Sequence, residues 1–327
     1  MVLTIILFVL GFALLIKGAD FLVEGSSSIA KKFGLSSIMI GLTIVAFGTS
    51  LPELIVSVLA SLEGSSDIAI SNIIGSNFSN TLLILGATAL VSPLLVKKHT
   101  IYKEIPFALL AVVAVFILVN DFLIEGSIIN GLSRIDGLVL ILFFLIFLYY
   151  SFGLRKEKEV KLPNLRLSNK DADIKEYNHL RSITYIILGV IALYFGGRWI
   201  VSGAVEIAGI FNLSEAFVGL TIIAIGTSLP ELVTSVVAAR KGEADMAVGN
   251  IIGSNVFNLF WILGLSATIH PIYYNDSLNL DLFILAAVTI ILIPLIYAGK
   301  KNILTRREGF VLLSLYIIYI IFISLRG

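Results

Sequence analysis

GLTIVAFGTSLPEL at residues 41–54 returns as GLTIIAIGTSLPEL at 219–232, with twelve of fourteen positions identical. The shift of 178 residues that relates them also lays Asn72-Ile73-Ile74-Gly75-Ser76-Asn77 on Asn250-Ile251-Ile252-Gly253-Ser254-Asn255. It carries Asn80 onto Asn258, Gly86 onto Gly264 and Pro93 onto Pro271, and no gap is needed. Further upstream it places Gly11, Gly18 and Gly25 on Gly189, Gly196 and Gly203. A register kept over that length is an internal duplication.

Both copies lie in apolar surroundings. Of 327 residues 58% are hydrophobic and 14% charged, and the mean hydropathy of +1.02 is far above that of a soluble domain. Stretches of roughly 20 apolar residues, enough to cross about 30 Å of hydrocarbon as helix, recur along the chain. Ten are predicted, at 2–20, 36–61, 69–92, 105–121, 133–152, 183–204, 214–239, 247–269, 279–298 and 305–325. The first has no basic flank and no small-residue cleavage site, so it reads as a retained helix. Cysteine is absent, which leaves the redox compartment open.

Lys and Arg gather on one side of these spans. With the N-terminus outside, the inner connections hold 19 of the 23 basic residues, among them Lys31, Lys32, Lys97, Lys98, Lys103, Arg240, Lys241, Arg306 and Arg307. Both termini are therefore expected outside and the protein in the cell membrane. Each half has five spans, and five is odd, so the second half enters from the opposite face. The predicted fold is an all-α membrane protein of ten transmembrane helices, arranged as two inverted five-helix repeats with helices 2, 3, 7 and 8 broken at the centre. Residues 1–153 form the first repeat and 183–327 the second, with 154–182 a solvated cytoplasmic linker. Inverted repeats with Gly/Pro breaks at matching places are a mark of secondary transporters that bind their substrate near the midplane.

Glu53 and Glu231 are predicted deep in spans 2 and 7, where a bare carboxylate costs at least about 2.5–3.5 kcal/mol. Spans 2, 3, 7 and 8 contain no Lys or Arg at that depth to offset it, so a transported cation is the natural counter-charge. Pro52 and Pro230 remove a helix N–H and leave the carbonyl oxygens of Gly48 and Gly226 without their donor, loosening those of Thr49 and Thr227. Inside lipid such backbone persists only where it lines a cavity or meets a ligand. Calcium takes about six to eight hard oxygens, and two bidentate glutamates with two carbonyls make six. Ser50 and Ser228, three residues before each glutamate, add hydroxyls on the same face. Asn72, Ser76 and Asn80 form a second stripe, repeated by Asn250, Ser254 and Asn258. Asn72, Asn77, Asn250 and Asn255 serve equally well as interhelical packing contacts, and the residues alone leave both readings open. No sulfur and no histidine joins the cluster, which disfavours zinc, copper and iron. Nothing calls for a cofactor, a nucleic acid or a protein partner; the expected partners are ions and the bilayer.

At these residues the chain resembles the cation/calcium exchanger superfamily, prokaryotic sodium/calcium exchangers in particular, whose two repeats carry GTS-L/A-PE followed by GSN segments. The resemblance covers both halves. It implies an antiporter with eight core helices around a central ion cluster and two long tilted helices, here spans 1 and 6, sliding as a gate. It implies calcium at Glu53, Glu231 and the carbonyls of Thr49 and Thr227. Sodium is implied at the same glutamates with Ser50, Ser76, Thr227, Ser228, Ser254 and the carbonyls of Ala46 and Ala224, and Asn80 and Asn258 complete the middle. Asn258 stands where potassium-dependent members carry Asp, which favours potassium independence.

The expected function is sodium/calcium antiport by alternating access. The first alternative is a proton/calcium or other divalent antiporter, which the resemblance disfavours: proton/calcium members usually carry a histidine or a different turn beside the acid, whereas here His99, His179 and His270 all fall in loops or at span ends. A cation channel is disfavoured by the inverted pair. An enzyme is not expected, since Ser50 and Ser228 have no His, Lys or Asp base at helical spacing.

Overall fold

The computed structural model describes residues 2–121, 126, 130–153, 176–210, 224–298 and 302–326. Most of the 154–182 linker and the opening of the seventh expected span lie outside them. The helices, in order, are α1 Val2–Phe33, α2 Ser37–Thr49, α3 Leu51–Leu62, α4 Ser66–Val91, α5 Thr100–Val119 and α6 Arg134–Phe152. The second half supplies α7 His179–Ile210, α8 Ala224–Thr227, α9 Leu229–Arg240, α10 Ala244–Ile269, α11 Asn279–Ala298 and α12 Arg306–Arg326. Among the described residues eight helices are long and apolar enough to cross a membrane, nine when α2 and α3 count as one bent span. The protein is a multi-pass membrane protein.

Burial sorts these helices into a core and a lipid-facing shell. The spanning stretch of α10 is 94% buried and that of α4 78%, against 22% for α12 and 28% for α6. On α6 the exposed Leu138, Leu142, Leu145 and Ile146 recur at helical spacing, an apolar stripe that only lipid solvates. α1 and α7 pack antiparallel along matched glycines. A Cβ on Gly18 would lie 2.9 Å from the Gly189 carbonyl oxygen, and one on Gly11 2.9 Å from that of Gly196. Gly86 of α4 meets Gly309 of α12, and Gly264 of α10 meets Gly137 of α6, at 2.9 and 3.0 Å by the same measure.

Two short antiparallel ribbons tie the connections. β1 (Leu94–Leu95) pairs with β4 (Ile303–Leu304), and β2 (Gly131–Leu132) pairs with β3 (Ile272–Tyr273). β3 stands where the repeat register puts β1, so each ribbon joins one connection from each half.

Two expectations need correction. The spans predicted at 2–20 and 183–204 are the much longer α1 and α7. Helices 3 and 8 are not broken: α4 and α10 run on through π-helical turns at Ser79–Ile84 and Phe257–Ile262, which widen the helix and re-aim its side chains without ending it. The break in helix 2 is present, with α2 and α3 meeting at 50°. In helix 7, α8 and α9 meet at Ser228, whose backbone angles (φ −85°, ψ 3°) repeat those of Ser50 (φ −83°, ψ 9°).

Candidate ion-binding site

Proline sets the geometry of both glutamates. Pro52 and Pro230 occupy the first turns of α3 and α9, where a missing N–H does no harm. Hydrogen bonding resumes with Leu54 N donating to the Ser50 carbonyl and Leu232 N to that of Ser228, each at 3.1 Å. Glu53 and Glu231 therefore sit in the first turn of a new helix. The positive end of that helix dipole favours a carboxylate there.

Each half builds the same pocket wall. Asn72 donates to Ser57 at 3.1 Å and Ser76 to Glu53 at 3.5 Å, clamping α4 onto α3. Asn250 donates to Ser235 at 3.0 Å and Ser254 to Glu231 at 3.5 Å, clamping α10 onto α9. The halves then interlock. Ser50 donates to Glu231 Oε1 at 2.9 Å and lies 3.0 Å from the Ser254 hydroxyl, while Ser228 donates to Glu53 Oε1 at 3.4 Å. Each motif's serine thus serves the other motif's acid.

Both glutamates are 1% exposed, and among the described residues neither takes part in an ion pair. One oxygen of each carboxylate accepts hydroxyl hydrogens; the other, Glu53 Oε2 and Glu231 Oε2, has no hydrogen-bond partner. Asn80 Oδ1, Asn258 Oδ1 and Asn255 Oδ1 are buried without a partner as well. Asn80 and Asn258 lie within the two π-helical turns. Buried acceptors left bare cost about 1–3 kcal/mol each, more when charged. Acceptors from both halves share this state, and hard oxygens of this kind are what a calcium or sodium ion binds.

The expected residues do not all behave alike. Ser50, Ser76, Ser228, Ser254, Glu53 and Glu231 form one connected cluster. The Ala46 carbonyl already accepts from Ser50 N at 3.0 Å and from the Thr49 hydroxyl at 3.3 Å. Thr227 is 7% exposed, and Ala224 opens α8. The asparagines left open by the sequence are woven into the site. Asn250 accepts the Thr49 hydroxyl at 3.1 Å and donates to the Glu231 carbonyl at 3.5 Å. Asn77 accepts from Asn258 at 3.0 Å and donates to the Asn255 carbonyl at 3.3 Å, and Asn255 donates to Thr81 at 2.8 Å. Asn250→Ala should take its donor from the buried Ser235 hydroxyl and leave Thr49 only the Ala46 carbonyl as acceptor, at a cost of about 1–3 kcal/mol, read as a lower thermal midpoint of the detergent-solubilised protein.

A membrane protein whose two like halves converge on a buried, oxygen-only anionic centre has the build of a cation transporter. The sequence profile described as sodium/calcium exchanger protein matches residues 3–153 and 181–325, and the chain belongs to that family, whose members are exchangers and not enzymes. It is similar to the inner membrane protein YrbG of Escherichia coli, with 39% identity over 273 residues that cover 83% of this chain and 81% of that one. It is also similar to the sodium/calcium exchanger MaX1 of Methanosarcina acetivorans, 31% identical over 341 residues and 97% of each chain. Among solved structures it resembles the sodium-calcium exchanger NCX_Mj, with a TM-score of 0.80 and 33% identity over 98% of each chain.

Proposed function

We propose that this protein exchanges sodium for calcium across the cell membrane by alternating access. Its ten helices form two inverted repeats, 1–153 and 183–327, joined by the cytoplasmic linker 154–182, with both termini outside. The family match interrupted between 153 and 181 supports that division. The ribbons support the topology: β1 and β4 belong to connections that ten spans put on the inner side, β2 and β3 to connections put on the outer side.

The carrying observation is the set of buried oxygens without partners, Glu53 Oε2, Glu231 Oε2, Asn80 Oδ1 and Asn258 Oδ1. Calcium is held by the two carboxylates and the carbonyls of Thr49 and Thr227. Sodium uses the same carboxylates with Ser50, Ser76, Ser228, Ser254, Thr227 and the carbonyls of Ala46 and Ala224, and Asn80 and Asn258 line the middle. Because the same oxygens serve both ions, occupancy by one excludes the other. Two uncompensated carboxylates inside the membrane disfavour crossing of the empty carrier. That exclusion makes exchange obligatory. Relatives named for sodium/calcium exchange support sodium as the coupling ion.

Liposomes loaded with sodium should take up calcium, and liposomes carrying only a proton gradient should not. Uptake driven by protons alone would reassign the coupling ion. Calcium current with no counter-ion on the far side would mean a channel.

A further inference from the structure

Several packing contacts between the two halves come in pairs related by the repeat, among them β1–β4 with β3–β2 and Gly86–Gly309 with Gly264–Gly137. The ion pair that joins Lys241 to α1 is not repeated in this way. Lys241, the residue that caps the C-terminus of α9, reaches Asp20 at 3.0 Å and Glu24 at 3.1 Å on α1, and its ammonium also lies 3.4 Å from the Asp20 carbonyl. The repeat register takes Asp20 to Arg198 on α7 and Lys241 to Glu63, the residue that caps the C-terminus of α3. The backbone equivalence is close: Glu63 has φ −80° and ψ −2° against −78° and 0° for Lys241. Each is followed by a glycine in the left-handed region, Gly64 at φ 76° and Gly242 at φ 84°. Asp20 and Arg198 each lie two residues beyond the matched glycines, Gly18 and Gly196, that seat α1 on α7.

The charges are reversed, acid for base and base for acid, so the attraction is kept while its polarity is exchanged. In this structure only one of the two pairs is made. Arg198 and Glu63 are both exposed, and no described ion pair joins them.

Two like halves facing opposite ways have a second arrangement open to them, in which each adopts the other's conformation and the opposite face opens. Carried through that exchange, the Asp20–Lys241 contact becomes an Arg198–Glu63 contact. We propose that Lys241 with Asp20 and Glu24 is a latch that holds the inner face shut, and that Arg198 with Glu63 is the matching latch of the outer face, made only in the opposite state. This rests on the alternating-access reading, and it names the residues that bias one state against the other. A half-exposed ion pair contributes little to overall stability. Two transport states differ by only a few kcal/mol, however, so a contact made in one and lost in the other shifts their populations.

The chain has no cysteine, so paired thiols can be introduced without background. In liposomes, Glu63→Cys with Arg198→Cys should be bridged by a short bifunctional thiol reagent in the fraction of molecules that visit the second state. Adding Lys241→Ala, which opens the first latch, should speed that bridging about fivefold, while Lys241→Arg should leave it unchanged. Asp20→Cys with Lys241→Cys should be bridged in the state seen here, and faster by a similar factor when Arg198→Ala is added. The proposal fails if the Glu63/Arg198 pair is never bridged under either sodium or calcium while the Asp20/Lys241 pair is, or if Lys241→Ala leaves the rate unchanged. Bridging is read without measuring flux, so a negative result here leaves sodium/calcium exchange untouched, and an absence of exchange leaves the latch untouched.

Discussion

Glu231→Gln should lower calcium uptake into sodium-loaded liposomes by about 100-fold or more, and Glu53→Gln should do the same, because calcium affinity follows the charge and number of its oxygen ligands. The amide keeps the shape and one acceptor, so the bond from Ser50 at 2.9 Å has a partner as before. What it removes is one of two negative charges and one of the bare oxygens, placing an NH2 where the cation needs an acceptor. The two substitutions are expected to match because each glutamate has the same surroundings, a serine from its own half at 3.5 Å and one from the other half.

Stability should move the opposite way. An ionised carboxylate at this depth costs at least about 2.5–3.5 kcal/mol, so in ion-free buffer either Gln variant should melt above the parent. Calcium should raise the melting point of the parent, which binds it in the folded state only, and leave the variants where they are. A Gln variant that loses both uptake and thermal stability would mean that the glutamates hold the fold and do not bind the ion.

That the same residues carry both the site and the repeat explains why so much was legible in advance. Pro52 and Glu53 are unusual in an apolar span, and their return at Pro230 and Glu231 gave the break, the acid and the duplication together. The length of α1 was not legible. Asp20, Glu24, Ser26, Ser27, Ser28, Lys31 and Lys32 weigh against a membrane span by composition, yet the helix continues through them to Phe33. It does so because Ser28 is met by Ser182 and by the Tyr177 backbone, and the acids by Lys241. Those partners lie more than a hundred residues away and leave no local trace. The π-helical turns escaped as well, since Ser79–Ile84 and Phe257–Ile262 carry no proline or glycine to mark a departure from regular helix. Asn77 and Asn255 stayed ambiguous because an amide in a membrane helix bonds whatever faces it. Only the tertiary arrangement shows Asn77 holding Asn258.

The glycines spaced by seven in α1 and α7 have a testable consequence, because they decide how tightly the two helices are bound to each other. Gly18→Leu should be the most damaging substitution outside the ion site. Even its first carbon would sit 2.9 Å from both the Gly189 carbonyl oxygen and the Leu193 nitrogen, and a Cβ on the facing Gly189 would lie 2.8 Å from the Gly18 carbonyl oxygen. These neighbours are backbone, which cannot rotate away, so the two helices must separate along much of their length. Overpacking costs about 1–3 kcal/mol where side chains can yield, and more where they cannot. The roughly 1 kcal/mol of helix propensity gained on replacing glycine does not offset that. Ala13→Leu is the matched comparison, on the same helix at an exposed position where lipid accommodates the added side chain. Size-exclusion profiles and thermal midpoints of the purified variants should show Ala13→Leu close to the parent and Gly18→Leu aggregated or strongly destabilised. Equal behaviour of the two would mean that α1 and α7 do not touch along this face, and the pair could then not move as one gate.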